Sequence, residues 1–214
     1  MQSVQLLSRC QPALLDRWTP IAVVGDGNCM FRSVSFAMYG TQDWHAQLRF
    51  LACLEIGEHR SYYDRDDANC HQLMRSVDVV CPNFYDLFEE VSVDGCSCCV
   101  VALLALSSVL QVRINSFYPP LQSSFVSPLT VELVGRDVAS SARSISVMWS
   151  TCSASLTASG PVDINHVVPL IKARCDRRNS NAVVIDSAQT PTESVPERAV
   201  HQVPFLLASI TVSL

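Results

Sequence analysis

The chain has 214 residues and a net charge of −5 at neutral pH, with 49% hydrophobic and 16% charged residues. This suits one well-packed core with tails and argues against a disordered chain. The acidic balance, with a pI near 5.4, offers no basic field to nucleic acid.

The N-terminal MQSVQLLSRCQPALLDRW carries no basic lead ahead of its apolar residues, which Arg9, Asp16 and Arg17 interrupt, so it does not resemble a secretory signal. No apolar run reaches the ~18 residues a membrane helix needs. The expectation is an intracellular protein, cytoplasmic or nuclear, with no membrane partner. Its ten cysteines (10, 29, 53, 70, 81, 96, 98, 99, 152 and 175) are too many in too long a chain for a small disulfide scaffold, and most sit among apolar neighbours.

Residues 1–17 read as a short helical extension packing Val4, Leu6, Leu7, Leu14 and Leu15. Pro20 to Val24 reads as a short apolar strand, followed by a turn over Gly25 to Asn28. Cys29 to Tyr39 has near-helical apolar spacing, with Asn28 as its expected N-cap and Gly40 as its stop. Trp44 to His59 is the clearest helix, with Leu48, Leu51, Ala52 and Ile56 on one face. SYYDRDDAN (61–69) reads as a polar, solvated connection. Asn69 to Ser76 and Asn83 to Glu90 read as short helices. An apolar helix follows from about Ser97 to Leu110, capped by Asp94.

The period then changes. VRINSF (112–117), LTVELV (129–134) and ISVMWS (145–150) predict strands, and NHVVPLI (165–171) a last one whose Pro169 suits a sheet edge. The polar stretch from Cys175 to about Gln202 reads as a tail. The apolar Val203 to Leu214 reads either as a docked terminal strand or as a partner-binding segment.

The chemistry concentrates in VGDGNCMFRSVSF (24–36). A thiol in the first turn of a helix meets unsatisfied N–H groups and the positive end of the helix dipole, and both favour thiolate. Gly25 and Gly27 allow a sharp turn, and amides around Asp26 to Cys29 could converge on an oxyanion. A cysteine nucleophile needs a base distant in sequence, and His166 fits better than His45, His59, His71 or His201 because it opens a late strand behind a Gly-Pro loop. Structural readings stand beside these: a buried cysteine after a tight turn, and a strand-end histidine bonded to backbone. Cys96, Cys98 and Cys99 lack a partner pair at zinc-ligand spacing and read as a buried helix start, so no metal is expected.

GDGNCMFRSVSFAMYG resembles the nucleophile motif of the ovarian-tumour (OTU) family of cysteine proteases, which are mainly deubiquitinases. Asp26, Gly27, Asn28, Cys29, Phe31, Arg32 and Ser33 match its pattern. The helix ending in HRSYYD, the later apolar helix, the strand VRINSF and the strand opening at a histidine follow the family's order, so the resemblance covers about residues 18–172. OTU-like domains of vertnin-type and transposon-encoded animal proteins are also similar.

The resemblance implies an α/β (α+β) fold, a small mixed sheet flanked by helices, over residues 18–172, with 1–17 an extension and 173–214 a tail. It implies Cys29 as nucleophile and His166 as general base and then acid. Asp26 joins them at the catalytic centre, and Gly27 and Asn28 shape the oxyanion loop. Ubiquitin or polyubiquitin on modified proteins would be the partner, and no cofactor is needed.

Two departures stand out. Val167 and Val168 follow the histidine where the family has an aromatic residue and then Asp or Asn, so Asn165, Asp163 or Asp26 would have to orient the ring. VDGCSCC stands where the family has Trp-Gly. These keep a second reading open, an OTU-like domain that has lost turnover and acts as a binding module.

Overall fold

The computed structural model describes residues 2–10, 12–75, 82–118, 130–151 and 164–173, all within the unit Met1–Ala173 that ends where a second unit begins at Arg174. Five strands, Trp18–Pro20 (β1), Arg113–Phe117 (β2), Val131–Leu133 (β3), Ser144–Ser150 (β4) and His166–Lys172 (β5), form one mixed sheet in the order β1-β5-β4-β2-β3. β2 and β4 run parallel, with Ile114 opposite Ile145, and the other pairs are antiparallel. The fold is therefore α/β with a small mixed sheet.

β5 is an interior strand, contrary to the edge position that Pro169 suggests. A strand residue points its N–H and C=O to the same neighbour. The Pro169 carbonyl accepts from the Ile21 amide at 3.1 Å, so its missing N–H also faces β1. The β1 ladder ends there, at the Pro20–Leu170 pair. One terminal bond is lost and the β4 side is untouched, which is how an interior strand tolerates proline.

The helices divide between the two faces of the sheet. Cys29–Tyr39 (α3), His45–Glu58 (α4), Arg60–Tyr63 (α5), Phe84–Ser92 (α6) and Val101–Leu110 (α7) bury the main core, which includes Phe31, Val34, Ile56, Leu87, Leu104 and Ile114. α3 ends as its sequence implies, with Gly40 left-handed at φ 77° and its amide on the Phe36 carbonyl. Asn83 caps α6, its Oδ1 accepting from the Asp86 amide at 3.0 Å. α7 starts at Val101 rather than near Ser97, and Asp94 does not cap it. The carbonyls of Val93 and Cys96 instead accept hydrogen bonds from Arg49, which holds that stretch out of helical geometry. Within the stretch read as solvated, Tyr63 is fully buried. Its hydroxyl lies 2.9 Å from both Glu55 Oε1 and Ser108 Oγ.

The N-terminal segment forms Gln2–Cys10 (α1) and Pro12–Leu15 (α2). Leu6 and Leu7 pack on the opposite side of the sheet, against Met148, Val168 and Leu170. Because Leu6 is 1% exposed, Leu6→Ala should cost about 2–4 kcal/mol in equilibrium urea unfolding. A loss below about 0.5 kcal/mol would mean that α1 does not dock in solution. The readings placed on residues 152–163 and 174–214 lie outside the described residues.

Candidate active site

Cys29 is the first residue of α3 and is 6% exposed. The Asp26 carboxylate holds the turn before it in two ways. Asp26 Oδ1 accepts from the Asn28 amide at 3.0 Å. The same carboxylate takes Nε and Nη2 of Arg32, one turn along α3, at 3.1 and 2.5 Å. That guanidinium holds the Asp26 carboxyl well below the ordinary carboxylate range. Asp26 is therefore ionised and committed to Arg32. The Asn28 amide is committed to Asp26, so it is not one of the donors available to an oxyanion.

Asn28 is not the side-chain N-cap its sequence suggests. It lies at φ −96°, ψ 6°, and its Oδ1 turns inward to accept from Arg49 Nε at 2.9 Å and the Gly95 amide at 3.4 Å. Of the two glycines in GDG only Gly27 has positive φ, at 82°. A Cβ on Gly27 would lie 1.7 Å from the Gly95 carbonyl oxygen. Gly95 itself has φ 76°, so two left-handed glycines pack the nucleophile turn against the turn following α6.

Arg49 ties these turns together and was not singled out by sequence reasoning. It is 4% exposed on α4. Its Nη1 donates to the carbonyls of Glu90, Val91 and Val93, at 3.0, 3.2 and 2.8 Å, and to Cys98 Sγ at 3.4 Å. Its Nη2 donates to the carbonyls of Gly27 and Cys96 at 3.1 and 2.6 Å. Its guanidinium carbon lies 4.4 Å from the centroid of the Phe31 ring. The only sequence signal was an arginine on the buried face of an apolar helix.

His166 opens β5 opposite Ser150 and is 6% exposed. Burial pushes its pKa below the ordinary histidine value, and the nearby Val23 carbonyl and Asp26 carboxylate partly offset this. Its Nδ1 is buried without a hydrogen-bond partner among the described residues. Val168, where the resemblance calls for Asp or Asn, is 1% exposed in the apolar cluster with Leu6, Leu7 and Leu170, so no polar atom reaches the ring from there. Asp163 lies outside the described residues. Asn165 does not lie apart from the thiol. With Gly27, Cys29, Cys98, Trp149 and Val167 it lines a cleft of about 260 Å³. The cleft thus joins Cys29 to both chain neighbours of His166. Ser33 Oγ of α3 donates to the Val167 carbonyl at 2.8 Å and fixes the cysteine helix on the histidine strand. Burial pushes the Cys98 thiol on the facing wall up to about 12, so it stays protonated.

Residues 20–99 match the family model described as Vertnin, OTU domain, and over that stretch the chain is similar to the OTU family. Among solved structures, the OTUD1 OTU domain is similar with a TM-score of 0.55 at 19% identity, covering 79% of this chain and 96% of that one. The viral OTU domain protease from Farallon virus matches with a TM-score of 0.46 at 17% identity, over 75% of this chain and 88% of its own. The Hazara virus OTU, in a structure bound to ubiquitin, matches with a TM-score of 0.45 at 11% identity, over 75% and 84%. No curated protein matches the chain in sequence.

Proposed function

We propose that the chain is a cysteine-type deubiquitinase that hydrolyses isopeptide bonds to ubiquitin, its catalytic domain spanning residues 18–172. The observation that carries this reading is the position of Cys29: first turn of α3, behind a rigid Gly27–Asn28 turn, in a cleft it shares with the residues flanking His166. In this scheme neutral His166 takes the proton of the Cys29 thiol, the resulting thiolate attacks the isopeptide carbonyl carbon, and the carbonyl electron pair moves onto oxygen. The helix N-terminus stabilises that oxyanion. The lysine amine of the substrate leaves with a proton from the His166 imidazolium, giving a thioester. His166 then takes a proton from water, the hydroxide attacks the thioester, and ubiquitin leaves as a carboxylate with the Cys29 thiolate restored. Asp26 maintains the turn and lends the ring its charge, and Asn165 is the candidate for orienting the ring from the cleft side.

A specific observation favours a second reading, an OTU-like binding module for ubiquitin or another protein. The acid position is Val168, in an apolar cluster, and the ring's Nδ1 lacks a partner among the described residues.

A ubiquitin bearing a C-terminal electrophile separates the two. The expected result is a covalent adduct with the wild-type protein and none with Cys29→Ala. Reversible binding without an adduct would support the module. An adduct with a short peptide electrophile but not with the ubiquitin probe would move the substrate away from ubiquitin.

A further inference from the structure

A buried arginine is normally matched by a carboxylate, because an unneutralised charge in a protein interior is costly. Among the described residues no carboxylate lies within ion-pair distance of Arg49. Its partners are five carbonyls, the Asn28 amide oxygen, a thiol and the face of Phe31. These dipoles solvate the cation without cancelling its charge. Two of the contacts are to Gly27 and Asn28, the residues immediately before Cys29.

We propose that Arg49 is a positioning residue for the Cys29 thiol. Its fork clamps the Gly27–Asn28 turn to the 90–98 segment, and its unpaired positive charge lies beneath that turn, where it favours thiolate. This rests on the reading of Cys29 as the nucleophile.

The other charged and titratable groups around this region are few. Asp26 and Arg32 neutralise each other at the head of α3, where the titratable His45 of α4 lies with Nδ1 3.2 Å from Arg32 Nη1 and Asp43 also acts on Arg32. His166 faces the turn from β5. Glu90 of α6 accepts a hydrogen bond from the Cys99 backbone, and burial raises its pKa. Asp94 lies in the turn after α6 and acts on Arg32. Cys53 and Cys98 are thiols, both raised by burial and both lowered in part by Arg49 itself. Cys96 and Cys99 are the remaining thiols of that stretch. Arg49 is thus the one cation near the turn, among the described residues, whose charge no carboxylate cancels.

The test is the pH dependence of Cys29 alkylation by iodoacetamide, read by mass spectrometry on the Cys29 peptide, with thermal unfolding in parallel. This requires no ubiquitin and no turnover, so failure of the deubiquitinase reading would show in the ubiquitin probe and leave this readout intact. Arg49→Met and Arg49→Gln should raise the alkylation midpoint by about 1 pH unit, a tenfold loss of thiolate on the acid side. Arg49→Lys should lower the melting temperature yet keep the midpoint within about 0.3 unit, because the charge remains. A folded neutral variant with the wild-type midpoint would overturn the proposal. So would a lysine variant shifted as far as the neutral ones. If only the lysine variant folds, Arg49 is a structural cation and the proposal also fails.

Discussion

His166→Ala should slow covalent capture by the ubiquitin electrophile by about two to three orders of magnitude, with the circular dichroism spectrum unchanged. The side chain is buried at the start of β5, and its removal leaves the β4 pairing and the bond from Ser33 to the Val167 carbonyl in place. Capture at the wild-type rate would remove His166 from the chemistry.

The same residue gives a pH signature with a definite sign. Burial lowers its folded-state pKa below the ordinary 6.5, so near and below that pH the unfolded chain binds more protons than the folded one. The contribution of neutral His166 to stability is therefore complete above about pH 6.5 and is lost as pH falls towards the folded value. His71 is shifted in the same direction by burial, so the useful quantity is the difference between wild type and His166→Ala. That difference should shrink on acidification below pH 6.5 and be flat above it, as read from urea unfolding across pH 5 to 8. A difference constant over that range would show that the ring is protonated alike in both states.

Gly27→Ala should be the most damaging small substitution in the turn. Left-handed backbone alone costs a Cβ-bearing residue about 1 kcal/mol. Here the new Cβ would also lie 1.7 Å from the Gly95 carbonyl oxygen, a backbone atom that can move only with its whole turn. That turn is bonded through Gly95 to Asn28 and through Val93 and Cys96 to Arg49. The expected loss is about 3 kcal/mol or more, together with loss of probe capture. Gly95→Ala is the contrast. Its φ is equally positive, but its Cβ would meet only the Asp26 carbonyl, at 3.4 Å. It should cost about 1 kcal/mol and leave most capture intact. Equal effects from the two substitutions in chemical denaturation would mean that the close approach of the turns does not exist in solution.

Much of this arrangement was legible in the residues. The span of α3 followed from apolar spacing between a Gly-Asp-Gly-Asn turn and a glycine stop, and the strands from a change of period after residue 111. What escaped was long-range partnership. Asn28 has the ideal chemistry for a local cap, but a buried guanidinium 21 positions away competes for its oxygen and wins, since a charge-assisted bond is the stronger. Pro169 reads as an edge residue because proline lacks a donor. Only the register shows that the missing donor points at the last rung of a short ladder. Tyr63 sits in a polar run, yet its hydroxyl has Glu55 and Ser108 as partners from two other helices. Arg49 is hidden for the same reason: most of its partners are backbone carbonyls, which no sequence pattern displays.

The position of β1 bears on how this domain should be trimmed. The family match begins at residue 20, where the strand that covers one side of β5 is already ending. A protein cut at that boundary would leave the histidine-bearing strand as a bare hydrogen-bonding margin and uncover Val168 and Leu170. A truncated preparation that aggregates or lacks activity would then report a missing border strand, not an inert enzyme.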